Sequence, residues 1–163
     1  LWDVFIIAAG FVLRALAGAF VAIVAISPWF YLCALFLSLL LALGKRRAEL
    51  ATLGAGETRA SLRGYSLELL DHLMTVTVTC ALMTYSLYTF QTPTAGHELM
   101  VTIPPVIFGV YRYLFLIYVK GEGEKPDTLV LRDKQLLAAV LLCVALAAGC
   151  LYGLPAMRGI GLP

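Results

Sequence analysis

Charged residues are scarce in this sequence. Only 13 % of its 163 residues are charged, 61 % are hydrophobic, and the mean hydropathy is +0.92. A typical soluble domain is about half apolar and about a quarter charged. The scarcity of charge therefore excludes an ordinary soluble domain, and the composition predicts an integral membrane protein.

Three further patterns are missing. The four cysteines all fall inside apolar runs and lack the spacing of metal ligands, so we interpret them as buried apolar residues and expect no disulfide framework. The apolar runs lack the period-two alternation of barrel strands. No Gly-Lys-Ser/Thr follows a strand, which excludes a phosphate-binding P-loop. These absences predict an all-α fold, a polytopic bundle of transmembrane helices.

The chain begins at Leu1, without an initiator Met or a basic segment before the first apolar run. We therefore expect a piece of a longer product, with no signal peptide to remove. The formal net charge of +2 says little about partners, because the positions of the charges matter more than their sum. The expected partners include membrane lipid and exclude nucleic acid.

Five apolar segments are long enough, at about 1.5 Å per residue, to cross a bilayer core or nearly so. We name them spans A to E, and together they form one predicted domain over residues 1–163. Their predicted bounds are Val4–Ile26 (A), Ser27–Gly44 (B), Leu70–Phe90 (C), Met100–Val119 (D) and Leu136–Leu154 (E).

Cations are concentrated in two of the connections between spans. The loop between C and D, Gln91–Leu99, carries no Lys or Arg. The positive-inside rule therefore predicts a multi-pass protein of the cell membrane with both basic loops in the cytoplasm. Nine of the twelve cations lie in those two loops: Lys45, Arg46, Arg47, Arg59, Arg63, Lys120, Lys125, Arg132 and Lys134.

The stretch Gly44–Leu50 carries three cations and one carboxylate where span B should leave the lipid, at the start of a predicted polar loop ending near Asp71. If the stretch is helical, Glu49 is the i+4 neighbour of Lys45 and the i+3 neighbour of Arg46. Such a cluster can bind a phosphate or pyrophosphate group. The alternative is a positive-inside anchor with internal ion pairs.

Two arginines lie inside spans. Arg14 falls near the midplane of span A, where a lipid-facing arginine costs at least a few kcal/mol. We therefore expect its guanidinium to point into the bundle toward a polar partner, rather than to snorkel, with Gly10 and Gly18 allowing a close neighbour on the same face. Arg112, beside Tyr113 in span D, is within snorkelling reach of the cytoplasmic end, and either role fits it.

Four stretches, taken in their order and spacing, resemble one family. They are Phe11–Gly18, Gly44–Leu50, the pair Arg112-Tyr113, and Pro126 followed by Leu131-Arg132-Asp133. Together they resemble the polyprenyl-phosphate phosphoribosyltransferases, a branch of the UbiA prenyltransferase superfamily. The resemblance covers nearly the whole chain, from span A to span E.

The resemblance implies a bundle of nine transmembrane helices with an active site open to the cytoplasm, of which spans A to E match the last five. The superfamily's first motif, an Asn-Asp-x-x-Asp cluster that holds Mg²⁺ and pyrophosphate, belongs to the N-terminal part and is absent from this chain. The second motif, Asp-x-x-x-Asp in most members, corresponds here to Lys45 and Glu49. A cation in place of one carboxylate suits phosphoribosyl pyrophosphate, whose 5-phosphate needs cations as well as metal.

The activity that the resemblance implies is phosphoribosyl transfer from phosphoribosyl pyrophosphate to a polyprenyl phosphate or related isoprenoid lipid, with Mg²⁺ as cofactor. Lys45 and Glu49 are then the catalytic candidates, and Glu49 either helps a metal ion or orients the cations. The lipid tail is expected between helices, open to the bilayer. The candidate substrate-binding residues are Lys45, Arg46, Arg47, Arg14, Tyr65, Arg112, Tyr113 and Asp133.

The candidates lead to one geometric expectation. Lys45, Arg46 and Glu49 should line a polar cavity on the cytoplasmic side together with Arg112 or Tyr113 and with Asp133, because spans B, D and E all present polar residues at that membrane face.

Two functions remain open from the sequence. The chain is part of an enzyme that needs the missing N-terminal half, or it is a non-catalytic UbiA-like structural subunit, or a lipid- or quinone-binding one, of a larger membrane complex. Other membrane subunits are partners in the second case. A small transporter is disfavoured, because no half of the sequence is repeated.

Overall fold

The computed structural model describes residues 1–21, 27–53, 64–91, 96–121 and 126–150. Within these ranges every regular element is helical, which confirms the predicted all-α class. A helix satisfies its backbone hydrogen bonds internally, as a segment surrounded by lipid must. The helices are α1 (Trp2–Val21), α2 (Pro28–Leu53), α3 (Leu67–Gln91), α4 (Ile103–Lys120), α5 (Pro126–Arg132) and α6 (Lys134–Ala148), with a 3₁₀ helix, Gly96–Thr102, before α4.

Three helical segments of the described residues are long and apolar enough to cross a membrane. They are Pro28–Thr52, Leu67–Gln91 and His97–Lys120, and they correspond to spans B, C and D. Span A corresponds to α1, and its last five predicted residues lie outside the described ranges. Span E corresponds to α6, which has 15 residues, and the predicted end of span E also lies outside them.

The predicted end of span B is wrong as a helix boundary. Helix α2 continues past Gly44 to Leu53, so the charged stretch occupies its last turns instead of opening a loop. The residues from Lys45 to Leu53 include Ala48, Glu49 and Leu50, which are strong helix formers. Hydropathy marks where the chain becomes polar, whereas these propensities allow the helix to continue beyond that point.

The segment between spans D and E also contains a helix that was not predicted. Helix α5, Pro126–Arg132, directly precedes Asp133, which is the N-cap of α6. The proline pair at the start of span D, Pro104 and Pro105, lies in the first turn of α4. A first turn tolerates proline because its N–H groups have no intrahelical acceptor.

Helix α2 packs between α1 and α3, while α4 packs against α6. The largest hydrophobic core cluster joins α1 to α6 through buried side chains, among them Val4, Ala8, Leu40, Leu43, Leu70, Met74, Leu116 and Leu136. This core fixes the polar ends of the helices relative to one another.

The two ends of the bundle differ in charge. At one end Arg47 of α2 lies 3.5 Å from the carbonyl oxygen of Ile117 on α4, so the helix ends that lead into the two basic loops are adjacent. At the other end Trp29 Nε1 donates a 2.6 Å hydrogen bond to Gln91, a contact between uncharged side chains. This geometry fits the prediction that both basic loops share one side of the membrane. Which side that is stays a prediction.

Candidate functional site

The charged last turns of α2 are tied to the start of α1. Arg46 Nε lies 2.7 Å from Asp3 Oδ2, and Arg46 Nη1 lies 2.5 Å from Glu49 Oε2. All three side chains are largely buried, with Arg46 13 % and Glu49 14 % exposed. The i,i+3 pairing of Arg46 with Glu49 is one of the two that the helical spacing allows, and the i,i+4 pairing of Lys45 with Glu49 does not form among the described residues. The pairing of Arg46 with Asp3 was not predicted.

Tyr65 completes this cluster from the segment that precedes α3. Its hydroxyl donates a 2.7 Å hydrogen bond to Asp3 Oδ1. Burial and this hydrogen bond raise the pKa of Tyr65 to about 12, so the phenol stays protonated at neutral pH. Tyr65 therefore acts as a neutral hydrogen-bond donor that holds Asp3 against α2.

Two atoms of the cluster remain without a hydrogen bond. Arg46 Nε and Asp3 Oδ2 are both buried, and although they are close enough for an ion pair, neither finds a hydrogen-bond partner of acceptable geometry among the described residues. The two atoms therefore compensate each other as an ion pair and not through an aligned hydrogen bond.

Lys45 differs from its two cationic neighbours. Its side chain is half-buried, and within the described part of the chain it forms no ion pair. It lies one residue before Arg46 and is the i−4 neighbour of Glu49. Lys45 is therefore the cation of this stretch whose charge is available to an anionic ligand.

Arg47 is committed to contacts between helices. Its Nε lies 2.6 Å from Asp71 Oδ1 at the start of α3, and its guanidinium carbon lies 4.2 Å from the ring centroid of Tyr118 on α4. These contacts join α2, α3 and α4 at one level. Arg47 was expected to bind the donor, and in the structure its side chain links α2 to α3 and α4.

The sequence analysis assigned no function to three partners in these contacts: Asp3, Asp71 and Tyr118. The topology of the spans could have identified the two carboxylates, because antiparallel spans bring charges at the start of one helix beside charges at the end of the next. Asp3 and Asp71 stand at such positions relative to Arg46 and Arg47.

A second polar cluster joins α4 to the start of α6. Arg112 binds Asp133 through both carboxylate oxygens, with Nε 3.1 Å from Oδ1 and Nη2 2.6 Å from Oδ2. Asp133 Oδ1 also accepts hydrogen bonds from the backbone N–H groups of Gln135 and Leu136, which caps α6. Lys120 Nζ lies 4.0 Å from Asp133 Oδ2.

These contacts determine the charge state of Asp133. The hydrogen bonds from Arg112 and from the Leu136 N–H favour the carboxylate, and they hold the pKa of Asp133 far below its usual value. Asp133 is therefore ionised at neutral pH. The cluster of Arg112, Lys120 and Asp133 carries a net charge of +1.

Tyr113 is the candidate residue that lies between the two clusters. Its side chain is 5 % exposed, and its hydroxyl has no hydrogen-bond partner among the described residues. The hydroxyl lies against Gly44 of α2, the residue before Lys45. The predicted site residues therefore form two ion-pair clusters and the separate pair of Arg47 with Asp71 in the described ranges, with Tyr113 between α2 and α4.

An apolar cavity of about 320 Å³ lies beside Tyr113. We call it the α4–α6 slot; its lining comes from α2, α4, α5 and α6 and consists of apolar surface. Residues of its lining include Leu37, Leu40, Tyr113, Leu136, Val140 and Val144.

Arg14 does not point into the bundle that the described helices form, contrary to our expectation. Its side chain is exposed, and its guanidinium carbon lies 5.4 Å from the ring centroid of Phe11, one turn earlier on α1. A Cβ atom built at Gly10 or Gly18 would meet no heavy atom within 4 Å. This face of α1 is thus uncovered by the described helices, which is why Arg14 has no ion pair with them.

The described residues do not complete a metal site. They contain no group of three or more His, Cys, Asp or Glu side chains arranged to hold a metal ion. Glu49, the predicted metal ligand, faces Arg46 instead. Any Mg²⁺ at this end of the bundle would need ligands in addition to the described carboxylates.

The chain is similar to part of several curated proteins that share one name. No family model matches the sequence. The decaprenyl-phosphate phosphoribosyltransferase of Corynebacterium glutamicum is 34 % identical over 154 residues, covering 89 % of this chain and 46 % of that protein. The Mycolicibacterium smegmatis protein of the same name is 31 % identical, covering 92 % of this chain and 51 % of that protein. The Mycobacterium tuberculosis protein is 30 % identical, covering 88 % and 48 %.

The chain spans about half the length of these curated relatives. The matches cover nearly the whole chain and confirm the resemblance drawn from its four sequence stretches. The chain is related to the C-terminal part of the decaprenyl-phosphate phosphoribosyltransferases, members of the UbiA superfamily.

Proposed function

We propose that the complete protein containing this chain transfers a phosphoribosyl group from phosphoribosyl pyrophosphate to a polyprenyl phosphate. The observation that carries the proposal is the charged end of α2. There Lys45 has no carboxylate partner among the described residues, and it adjoins the buried pair of Arg46 and Asp3. The family relationship supplies the reaction class, since the relatives are named for it.

The reaction requires one bond to form and one to break. An oxygen of the polyprenyl phosphate attacks the anomeric carbon of the donor, and the bond from that carbon to the pyrophosphate oxygen breaks with pyrophosphate as leaving group. The protein's part is to hold the two anions in line and to stabilise the charge that develops on the leaving group.

Lys45 is the residue proposed to contact a donor phosphate first. An anion that approached Arg46 would compete with Asp3 and Glu49, whereas Lys45 has no such competitor among the described residues. Charge-assisted hydrogen bonds to phosphate are about twice as strong as neutral ones. Glu49 then acts through Arg46, by fixing the orientation of the guanidinium.

The four charges of this cluster sum to zero. Lys45 and Arg46 are balanced by Asp3 and Glu49, so the donor pyrophosphate needs further positive charge. In the proposal this comes from Mg²⁺ and from parts of the protein outside this chain. Glu49 is proposed as one carboxylate ligand of that metal ion.

The test is phosphoribosyl transfer by the complete protein in detergent with Mg²⁺, with the donor concentration varied. Replacing Lys45 by Ala should raise the donor KM about ten-fold or more, because a bond to a charged group contributes about 1.5–3 kcal/mol. The matched control is Lys134→Ala, since Lys134 is exposed at the start of α6. Equal kinetics for the two variants would reject Lys45 as a donor-binding residue.

Glu49→Gln addresses the second catalytic candidate. It keeps the size of the side chain but weakens the hold on Arg46, so turnover should fall more than donor affinity. If Lys45→Ala and Glu49→Gln both behave like the wild type, the stretch serves only to anchor and pack the helix.

That outcome would favour a second candidate function, a non-catalytic UbiA-like subunit that binds lipid or quinone in a larger membrane complex. The specific observation in its favour is that Arg46 and Arg47 are already engaged by carboxylates of α1 and α3. Co-purification of the complete protein with other membrane subunits, together with no transfer activity, would support it.

A further inference from the structure

The guanidinium of Arg46 is held through two of its three nitrogens. Nε lies 2.7 Å from Asp3 Oδ2, and Nη1 donates a 2.5 Å hydrogen bond to Glu49 Oε2. Nη2 donates no hydrogen bond to the described residues. Because a guanidinium is a rigid planar fork, the two engaged nitrogens fix the direction of the third. Arg46 therefore keeps N–H donors for an anion that reaches the charged turns of α2.

The two carboxylates hold Arg46 in different ways. Glu49 stands on the same helix and accepts an aligned hydrogen bond. Asp3 comes from α1, and its Oδ2 is close enough for an ion pair but accepts no aligned hydrogen bond from Arg46. The attraction of Asp3 for Arg46 is thus that of one charge for another, which a second anion at a similar distance can replace. Asp3 is therefore the more direct competitor of an anionic ligand for this guanidinium.

Asp3 is a fixed competitor, because its other oxygen is engaged. The hydroxyl of Tyr65 donates a 2.7 Å hydrogen bond to Asp3 Oδ1, so the carboxylate cannot follow Arg46 toward a ligand without breaking that bond. Burial raises the pKa of Asp3, but hydrogen bonds from Tyr65 and from the Val4 N–H, together with the charge of Arg46, lower it below its ordinary value. Asp3 therefore carries its full charge at neutral pH.

The charge of Asp3 sets the balance of the cluster at zero. Without it, the charges of Lys45, Arg46 and Glu49 would sum to +1 beside the proposed donor position. A diphosphate group is present both in the donor and in the pyrophosphate that leaves. Binding the group equally tightly before and after transfer does not accelerate the chemistry, and it slows the release of the product.

We infer that Asp3 sets the diphosphate affinity of the proposed transfer site, by competing for Arg46 so that pyrophosphate can leave after transfer. The inference rests on the proposed function for the identity of the anion. Asp3 acts through Arg46, so it is a positioning residue and not a catalytic one. A purely structural Asp3 predicts the opposite sign, because damage to the site weakens anion binding.

The test is equilibrium binding of pyrophosphate, with Mg²⁺ and without acceptor, to the complete protein in detergent. Asp3→Asn removes the charge and keeps an oxygen that can accept the hydrogen bond of Tyr65. It should lower the pyrophosphate Kd about ten-fold, because the released guanidinium adds a charge-assisted bond to phosphate. An unchanged or higher Kd in the folded variant would overturn the inference. Asp3→Ser also removes the charge, and it replaces Asp3→Asn if that protein is not monodisperse.

Asp71→Asn is the matched control, because it is the same substitution at the carboxylate that engages Arg47. Arg47 is also held by the ring of Tyr118 and the carbonyl oxygen of Ile117, so it should not move to an anion. The pyrophosphate Kd should therefore change much less than in Asp3→Asn. An equal fall in both variants would show a general effect of added positive charge and reject the specific role of Asp3.

A double variant tests the route through Arg46. Arg46→Gln in the Asp3→Asn protein removes both partners of the ion pair, so the gain in pyrophosphate affinity should disappear. A gain that persisted in the double variant would overturn the inference, since Asp3 would then act on the anion by another route.

Kinetics connect the change in affinity to product release. In Asp3→Asn the first turnover should keep its rate while steady-state turnover falls, because pyrophosphate leaves more slowly. Tighter pyrophosphate binding with unchanged steady-state turnover would overturn the role in release.

The same measurements separate the inference from the proposed function. An unchanged pyrophosphate Kd in Asp3→Asn with transfer still present rejects the inference alone. Tighter pyrophosphate binding in Asp3→Asn, with no transfer by the wild type, supports the competition for Arg46 and rejects the proposed function.

Discussion

The hydroxyl of Tyr113 occupies the space that a side chain at Gly44 would need. A Cβ atom built on Gly44 would lie 2.6 Å from Tyr113 Oη and 2.7 Å from Ile117 Cδ1. Glycine at this position therefore lets α2 and α4 approach closely, immediately before the charged turns of α2. The contact sets the position of Lys45 relative to the slot.

Gly44→Ala should destabilise the protein. The Ile117 methyl can move aside, but the buried phenol of Tyr113 is rigid, and overpacking of this kind costs about 1–3 kcal/mol. Tyr113→Phe in the same chain removes the nearer clashing atom, so it should restore part of the lost stability. Thermal unfolding in detergent of the wild type, both single variants and the double variant measures this. A double variant no more stable than Gly44→Ala would contradict the explanation.

Substitution of Arg46 should lower the stability of the protein, whereas substitution of Lys45 should affect donor binding and leave stability nearly unchanged. Arg46→Gln leaves Asp3 and Glu49 without their shared, largely buried cation, which should cost about 2 kcal/mol or more of unfolding free energy. Lys45→Gln should leave the unfolding temperature nearly unchanged, because Lys45 has no ion pair with the described residues. The two unfolding temperatures provide the measurement, and an equal loss in both variants would refute the division of roles.

Asp133 should stabilise the bundle through two interactions that substitution can separate. Asn at position 133 can still cap α6 but weakens the bond to Arg112, whereas Ala loses both. Ala should therefore be less stable than Asn by about 1 kcal/mol, the usual contribution of an N-cap. Identical unfolding temperatures for Asp133→Asn and Asp133→Ala would exclude the capping contribution.

The contribution of Asp133 should also depend on pH in a defined direction. Its pKa is lowered in the folded protein, so the folded state is stabilised by its charge above the ordinary carboxyl pKa of about 3.9 and loses that stabilisation as the pH falls toward the folded pKa. The difference in unfolding temperature between wild type and Asp133→Asn should be constant from about pH 5 to pH 8 and shrink in stronger acid. A difference that vanished near pH 6 would contradict the assignment.

The two basic loops should be labelled from the cytoplasmic side. Single cysteines placed at positions within 45–63 or 120–134, apart from buried ones such as Ala48 and Leu129, in a cysteine-free background should react with a membrane-impermeant reagent only after the cytoplasmic face is exposed, and cysteines at 91–99 should react from outside. Many of these positions lie outside the described ranges, so labelling supplies information that the contacts of α2 and α4 do not. Labelling of both basic loops only from outside would reverse the predicted orientation.

The sequence predicts the helices better than it predicts their ends. Apolar length identifies α2, α3 and α4, but it marks the polar boundary at Gly44 and cannot show that the helix continues to Leu53. The i,i+3 pair of Arg46 and Glu49 follows from helical spacing alone.

The spacing of residues along the sequence could not predict which residues from different helices contact each other in the site. Asp3 and Arg46 meet only because α1 and α2 are packed side by side, and Arg112 meets Asp133 only because α6, which Asp133 caps, packs against α4. For Arg14, the cost of a lipid-facing arginine predicts a polar partner, and that partner does not come from the described helices, which leave this face of α1 open.

The unbroken length of α2 has a mechanical consequence. Its 26 residues form a rod of about 39 Å that carries Lys45 near one end and the slot residues Leu37 and Leu40 farther along. A displacement of the rod when an anion binds at Lys45 would therefore also move one wall of the slot. Thermodynamic linkage makes such coupling reciprocal: whatever packs against or loosens that wall must in turn change the affinity of the anion.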